Sequence, residues 1–231
     1  MTKKIMLLAL AAVSAAVFAM PAVASAEDIP LHLNPTPAGN QAIDDVGANP
    51  TLTTTGGTKI ECGSFSGNAT FEAGGTTGHM TLTFGPNGDG TVPCASSGFK
   101  CNSNPPLAAA GTIITTELPF HLVTLPNKKP GVLVTPNPTE PRSFAHIECA
   151  GGLVKFTVEG NGVIGTITEP ACEGTSNMAT IDFNATGNGV QEHKKVEGTE
   201  TEYTLKKGTE NAAQDATGTL TLSGNSKLEC T

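Results

Sequence analysis

The residues of this 231-residue chain best placed to do chemistry are its six cysteines, Cys62, Cys94, Cys101, Cys149, Cys172 and Cys230. Their spacing is not that of a metal site: the closest two, Cys94 and Cys101, form a Cys-x6-Cys, whereas zinc ribbons use Cys-x2-Cys. An even number of cysteines in a chain that opens with an export signal predicts three disulfides. Six cysteines allow 15 connectivities, among which sequence does not choose. Proximity favours Cys94–Cys101, a tight loop around Ser96-Ser97-Gly98, and Cys149–Cys172, stapling a hairpin to the loop after it. Cys62–Cys230 is then left to tie the first half to the last strand. Each bridge is worth typically ~2–4 kcal/mol, and more for longer closed loops.

The other reactive side chains form no constellation. His32, His79, His121, His146 and His193 lie far apart, with no His-Glu-x-x-His, so no metal or cofactor is expected. Gly63-Ser64-Phe65-Ser66-Gly67 imitates a nucleophile elbow but has Phe65 where the serine must stand. Glu117, Glu148, Glu159 and Glu169 lie on or beside strand-like segments and are the carboxylates from which a glycosidase pair could be drawn. Against that reading, the chain has no Trp and one Tyr, and sugar clefts stack rings on large aromatic faces. Pro86-Asn87-Gly88-Asp89-Gly90-Thr91 has a single charged ligand, too few for a calcium loop, and reads as a hairpin turn. Asn68-Ala69-Thr70 and Asn184-Ala185-Thr186 match the glycosylation sequon, which in a bacterial chain is a chance pattern. No catalytic residue is predicted.

These residues must be carried by elements outside the leader. Residues 1–26 read as a secretory signal: Lys3-Lys4, an apolar run over 5–20, Pro21, and Ala24-Ser25-Ala26 before Glu27. Cleavage after Ala26 removes two basic groups and no acidic ones, leaving 205 residues with 11 basic and 21 acidic groups, a net charge of −10. Such a surface repels phosphate backbones, so nucleic acid is not an expected partner. No second long apolar run exists, so no integral membrane span is expected in the mature chain. Leu, Ile, Val and Phe make up only about a fifth of it, so hydrophobic burial alone is thin and the cysteines become the second source of stability.

Residues 27–57, punctuated by Pro30, Pro35, Pro37 and Pro50, read as an extended Pro/Thr/Gly-rich arm, in which Leu31, Leu33 and Ile43 could still dock an edge strand. From 58 to 231 the pattern is a β domain, divisible into half-units of about 58–140 and 141–231. Met80, Leu82 and Phe84 alternate with Thr, as do Val154, Phe156 and Val158 with polar residues, the period of a half-buried strand. Asn87-Gly88, Asn161-Gly162 and Asn188-Gly189 mark tight turns, and Gly160-Asn161-Gly162 predicts a hairpin between 153–159 and 163–168. Glu210–Ala216 is the best helix candidate. Lys59-Ile60-Glu61-Cys62, His146-Ile147-Glu148-Cys149 and Lys227-Leu228-Glu229-Cys230 repeat a basic-aliphatic-acidic-Cys pattern, which predicts three strands with the aliphatic and Cys facing inward. The fold class is all-β: an antiparallel β-sandwich, or two packed β-sheet units, stapled by disulfides.

The stretch from about 90 to 185 carries Cys94, Cys101, Ala108-Ala109-Ala110-Gly111, Ile114-Thr115-Thr116-Glu117-Leu118, Ile147-Glu148-Cys149 and Val163-Ile164-Gly165-Thr166-Ile167. It resembles uncharacterised exported β-rich proteins of high-GC Gram-positive bacteria. The resemblance covers under half the chain, implies secretion and a β fold, and brings no activity or site residues. The expected function is a secreted or cell-envelope β module that binds a protein, a wall polymer or a small apolar ligand. An extracellular hydrolase using paired carboxylates and a surface-layer or matrix component are the alternatives.

Overall fold

The computed structural model describes residues 31–34, 36, 39–45, 49–86, 92–139, 142–168, 176–187 and 189–230. The leader over 1–26, the Asn87-Gly88 turn with Asp89, Glu169, Cys172 and Asn188 lie outside the described residues. Those described form eighteen strands and no α-helix. In the first half these are β1 (Leu31–Asn34), β2 (Gln41–Asp45), β3 (Thr51–Thr54), β4 (Lys59–Glu61), β5 (Ser64–Phe71), β6 (Thr77–Gly85), β7 (Ala95–Ser96), β8 (Phe99–Ser103) and β9 (Ile113–Ile114). In the second they are β10 (Leu118–Thr124), β11 (Pro130–Val134), β12 (Ser143–Cys149), β13 (Val154–Gly160), β14 (Val163–Thr168), β15 (Met178–Phe183), β16 (Leu205–Lys207), β17 (Glu210–Thr221) and β18 (Lys227–Cys230).

The all-β class holds, but the sandwich does not. Eight antiparallel strands run β15-β14-β11-β10-β6-β5-β2-β17, and β17 pairs back onto β15 from Met178↔Thr221 to Phe183↔Ala216, closing a barrel. Closure leaves no free edge among these strands, which is how an all-β chain avoids edge-to-edge association. Seven further strands make, with β17, a second circuit, β17-β16-β13-β12-β8-β7-β4-β3 and back to β17 through Ala212↔Thr54 to Asp215↔Thr51, while β9 pairs with β6 and β1 with β18. The chain weaves between the two circuits, so a division near residue 140 separates nothing. The 27–57 arm is likewise corrected: β2 is a barrel stave between β5 and β17, and β3 belongs to the second circuit.

The twelve-residue β17 joins the two circuits. It holds the segment that helix propensity favoured, Glu210–Ala216, as strand, because partners on its edges satisfy its backbone in a way an isolated seven-residue helix could not match. Where β16 ends and β15 has not begun, the buried Gln191 side chain fills the gap. Its amide nitrogen donates to Gln214 O at 3.1 Å, and its oxygen accepts from Gln214 N at 3.0 Å. A side-chain amide thus replaces one rung of the ladder, and no backbone polar group is left bare at the junction.

The Gly160-Asn161-Gly162 turn is not a hairpin. β13 pairs with β12 and β16, whereas β14 pairs with β11 and β15, so the turn carries the chain from one circuit to the other. Asn161 anchors it, donating from Nδ2 to Glu202 O and accepting the Thr204 N–H, both at 2.8 Å. Gly160 is required here: its φ is +139° and a Cβ would collide with the Thr204 carbonyl.

Both described disulfides staple the second circuit, and neither is one that proximity favoured. They are Cys62–Cys94 and Cys101–Cys149, so Cys94–Cys101, Cys149–Cys172 and Cys62–Cys230 are all overturned. The register explains why. Glu61↔Ala95, Ala95↔Lys100 and Cys101↔Cys149 set Cys62, Cys94, Cys101 and Cys149 in one row across β4, β7, β8 and β12. The Cys101 N–H donates to Cys94 O, which makes those two a hydrogen-bonded pair; the pairs on either side are then the closer, non-hydrogen-bonded kind. Their Cα–Cα distances are 3.9 and 4.0 Å. Bonding Cys94 to Cys101 would leave Cys62 and Cys149 at opposite ends of the row. The β4–β7 ladder consists of one residue pair, so Cys62–Cys94 closes the circuit where hydrogen bonding is thinnest.

Candidate functional site

Where its side chains are described, the repeated strand pattern does place its aliphatic and cysteine residues inward: Ile60, Cys62, Ile147, Cys149 and Leu228 are all buried, and the side chain of Cys230 lies outside the described residues. These residues lead to the two ends of the barrel interior. At one end Phe71 and Phe120 meet edge-to-face with ring centroids 4.9 Å apart, among Ile43, Met80 and Leu220. Leu228, carried on β18 by its pairing with β1, fills what remains. Only about 10 Å³ is unfilled. The packing needs a bare backbone at Gly78, where a Cβ would collide with Thr70 O and come within 2.6 Å of Phe120 Cζ.

The other end, between the barrel and the second circuit, is hollow. A cavity of about 100 Å³ is walled by Phe65, Leu82 and Phe84 from the barrel and by Ile60, Phe144 and Val158 from the second circuit. Alternation along β6 points Gly78, Met80, Leu82 and Phe84 inward; the first two are buried, and the last two are only half-buried. Phe183 stands in the same relation to the buried Ala179 and Ile181 on β15. The exposed surface of these inward-facing side chains therefore belongs to the cavity. An empty space this size costs about 2 kcal/mol at roughly 24 cal/mol per Å³. Three polar residues, Thr51, Thr115 and Gln214, interrupt the apolar wall.

The polar residues read from sequence are held elsewhere. Glu117 is exposed, while Glu148 and Glu159 sit at opposite ends of the β12–β13 ladder, facing Lys155 and Ser143 respectively. Glu148 contacts Lys155 Nζ at 2.6 Å and accepts from Asn104, and these cations and donors, Lys155 foremost, hold its carboxyl below the ordinary range. The three described carboxylates do not converge. His146 lies 3.3 Å from Ser143 Oγ and 3.1 Å from Thr157 Oγ1, a serine–histidine contact that spacing did not reveal. Ser143 has no exposed surface, so no acyl group reaches it; its contact with His146 lies within β12, and the His146–Thr157 contact is the one that links β12 to β13. On the barrel exterior Glu72 accepts from Thr77 Oγ1 at 2.6 Å and lies 3.0 Å from His79 Nε2. Those contacts lower its pKa, and burial lowers that of the neighbouring His121. Among the described residues no set of three or more His, Cys, Asp or Glu is arranged to hold a metal ion.

The charged segment over 191–210 has one apolar tooth. Val196 docks on the outer face of the barrel against Val123, Leu125, Leu133 and Ile164, with Tyr203 beside it, its phenol pKa raised by burial. The Glu197 N–H donates to Thr124 O, and Glu197 pairs with Lys128, so the barrel wall around β10 and β11 is covered on both faces. Among the described residues no helix is long and apolar enough to cross a membrane. Comparison of the chain with protein-family models, curated proteins and solved structures finds no match.

Proposed function

We propose that this protein is an exported binding module that holds a small, mostly apolar molecule inside its barrel. The hollow end of the interior carries the proposal: about 100 Å³ of space with an almost wholly apolar wall, in a barrel whose other end is filled. Eight-stranded barrels either fill with side chains or hold one small ligand, and this one does the first at one end and has room for the second at the other. The volume is of the order of an engineered 150 Å³ apolar cavity that stays dry and takes up benzene. A ligand of about six to eight heavy atoms is the right size, and the ligand-efficiency ceiling of about −1.5 kcal/mol per heavy atom allows it an affinity no tighter than roughly 10⁻⁷ to 10⁻⁹ M.

The test is titration of the folded protein with toluene and cyclohexane, followed by methyl resonances of Leu82 and Val158. Saturable shifts confined to cavity residues are the expected result. Ala145 and Ala216 line the cavity, and Ala145→Leu or Ala216→Val should abolish those shifts by filling it. Shifts that do not saturate, or that survive both fillings, would remove the reading.

A further inference from the structure

Resting on that reading, we infer that the molecule held in the cavity carries one hydrogen-bond acceptor, a carbonyl oxygen on a small apolar body, which receives the Thr115 hydroxyl proton. Thr115 lies in the link between β9 and β10. Ile114 faces Thr83 and Leu118 faces Met80, so three residues, 115–117, stand opposite two, 81 and 82. This is the count of a β-bulge, which re-aims side chains. The Thr115 N–H donates to Leu82 O at 2.9 Å, while its side-chain Oγ1, in place of its carbonyl, accepts the Leu82 N–H at 3.0 Å. The hydroxyl is thereby fixed on the cavity wall.

A hydroxyl has one donor besides its acceptor sites. Among the described residues none accepts the Thr115 proton, yet Thr115 is only 8 % exposed and its residue lines the cavity. Its Oγ1 is satisfied as an acceptor by the Leu82 N–H, so what it has left to offer a bound molecule is the donor. Thr51 and Gln214, the other polar liners, are less buried, and the Gln214 amide already reaches the Asp215 carbonyl. A ketone or aldehyde supplies the acceptor that Thr115 lacks and, having no donor of its own, asks nothing further of the largely apolar wall.

Cyclohexanone and its hydrocarbon isostere methylenecyclohexane separate the two levels of the claim. The ratio of their affinities in the native protein should fall about tenfold, some 1.4 kcal/mol, in Thr115→Val and stay unchanged in Thr115→Ser. Equal ratios in the native protein and Thr115→Val overturn the inference while leaving the cavity reading intact; failure of both probes to bind overturns the cavity reading itself. Thr115→Val also removes the acceptor for the Leu82 N–H. If it does not fold, the carbonyl stretching band of bound cyclohexanone in the native protein decides. A shift to lower frequency relative to hydrocarbon solution supports the hydrogen bond, and an unshifted band overturns it.

Discussion

The two ends of the barrel interior share their strands and differ in what fills them. At the packed end Phe71, Phe120, Met80 and Leu228 interdigitate and leave about 10 Å³. At the hollow end β5, β6 and β15 still point Phe65, Phe84 and Phe183 inward, but about 100 Å³ stays open between them and the second circuit. The packed end is closed by side chains on the barrel's own hydrogen-bonded wall and by the β1–β18 pair. The hollow end is roofed by a circuit of short ladders that needs two disulfides. One end thus obtains its stability from close packing, and the other from covalent bonds that hold a space open.

Aromatic truncations should show the largest contrast. Phe120→Ala, at a fully buried position, should lower unfolding free energy by about 3–5 kcal/mol, and Phe84→Ala, already facing a void, by roughly half as much. Urea midpoints at constant m-value measure both. Equal losses would break the comparison. Disulfide removal should come next. Replacing Cys62 and Cys94 together by Ala should cost about 2–4 kcal/mol and should loosen amide protection in β3, β4 and β7 more than in β5 and β6. Non-reducing peptide maps should recover Cys62–Cys94 and Cys101–Cys149.

Adding volume should then separate the ends by sign. Ala179→Val, at the packed end, should destabilise by about 1–3 kcal/mol through overpacking. Ala145→Val, at the hollow end, should be neutral or stabilising by up to about 1 kcal/mol, because the methyl groups enter empty space. Thermal denaturation of the pair is enough. Destabilisation of the same size at both positions would mean that the hollow end collapses in solution.

Much of the wall was legible in the sequence, and little of its closure. Alternation in Met80-Thr81-Leu82-Thr83-Phe84 and the aliphatic-x-Cys endings of β4 and β12 report which face of a strand is buried, a local property. Which strand lies beside which is not local. Cys94 and Cys101 are neighbours in sequence and in space, yet the alternation of hydrogen-bonded and non-hydrogen-bonded pairs, invisible without the register, bonds each to its other neighbour. Gly160-Asn161-Gly162 has hairpin chemistry and serves as a crossing between circuits, because β16 and β11 claim the edges on either side of it. The Pro-punctuated segment before residue 58 looked like a tether because β2 and β3 are short, and Gln41–Asp45 carries a single large aliphatic residue, Ile43. The cavity is the remainder after side-chain volume is taken from enclosed volume; its one local sign is the small Ala145 and Ala216 at inward positions. Thr115 gave no sign, since a bulge appears only when two strands are counted against each other.

The smallest effect concerns charge at the surface of each region. Glu72 follows β5 next to Phe71, at the packed end, and its lowered pKa is due first to the Thr77 hydroxyl and then to His79. Glu148 precedes Cys149 in the second circuit and is lowered first by Lys155. A carboxylate with a depressed folded-state pKa contributes stability that is present above its unfolded value, near 4.5, and lost as pH falls through the lower folded value. Both Glu72→Gln and Glu148→Gln should therefore lower stability at neutral pH and flatten the acid limb, so that the difference from the native protein closes as pH falls below about 4.5. Salt distinguishes them. The Glu148–Lys155 attraction is between full charges, with Lys155 exposed and Glu148 half-buried, and salt weakens it in part, since the 2.6 Å contact is shorter than the Debye length of about 3 Å at 1 M. The Thr77–Glu72 hydrogen bond is short and has a neutral donor. Raising salt to 1 M should thus shrink the difference between native protein and Glu148→Gln above pH 4.5 by a larger fraction than the difference for Glu72→Gln. Equal shrinkage of both would show that the packed end's rim, like the second circuit, is held by charge.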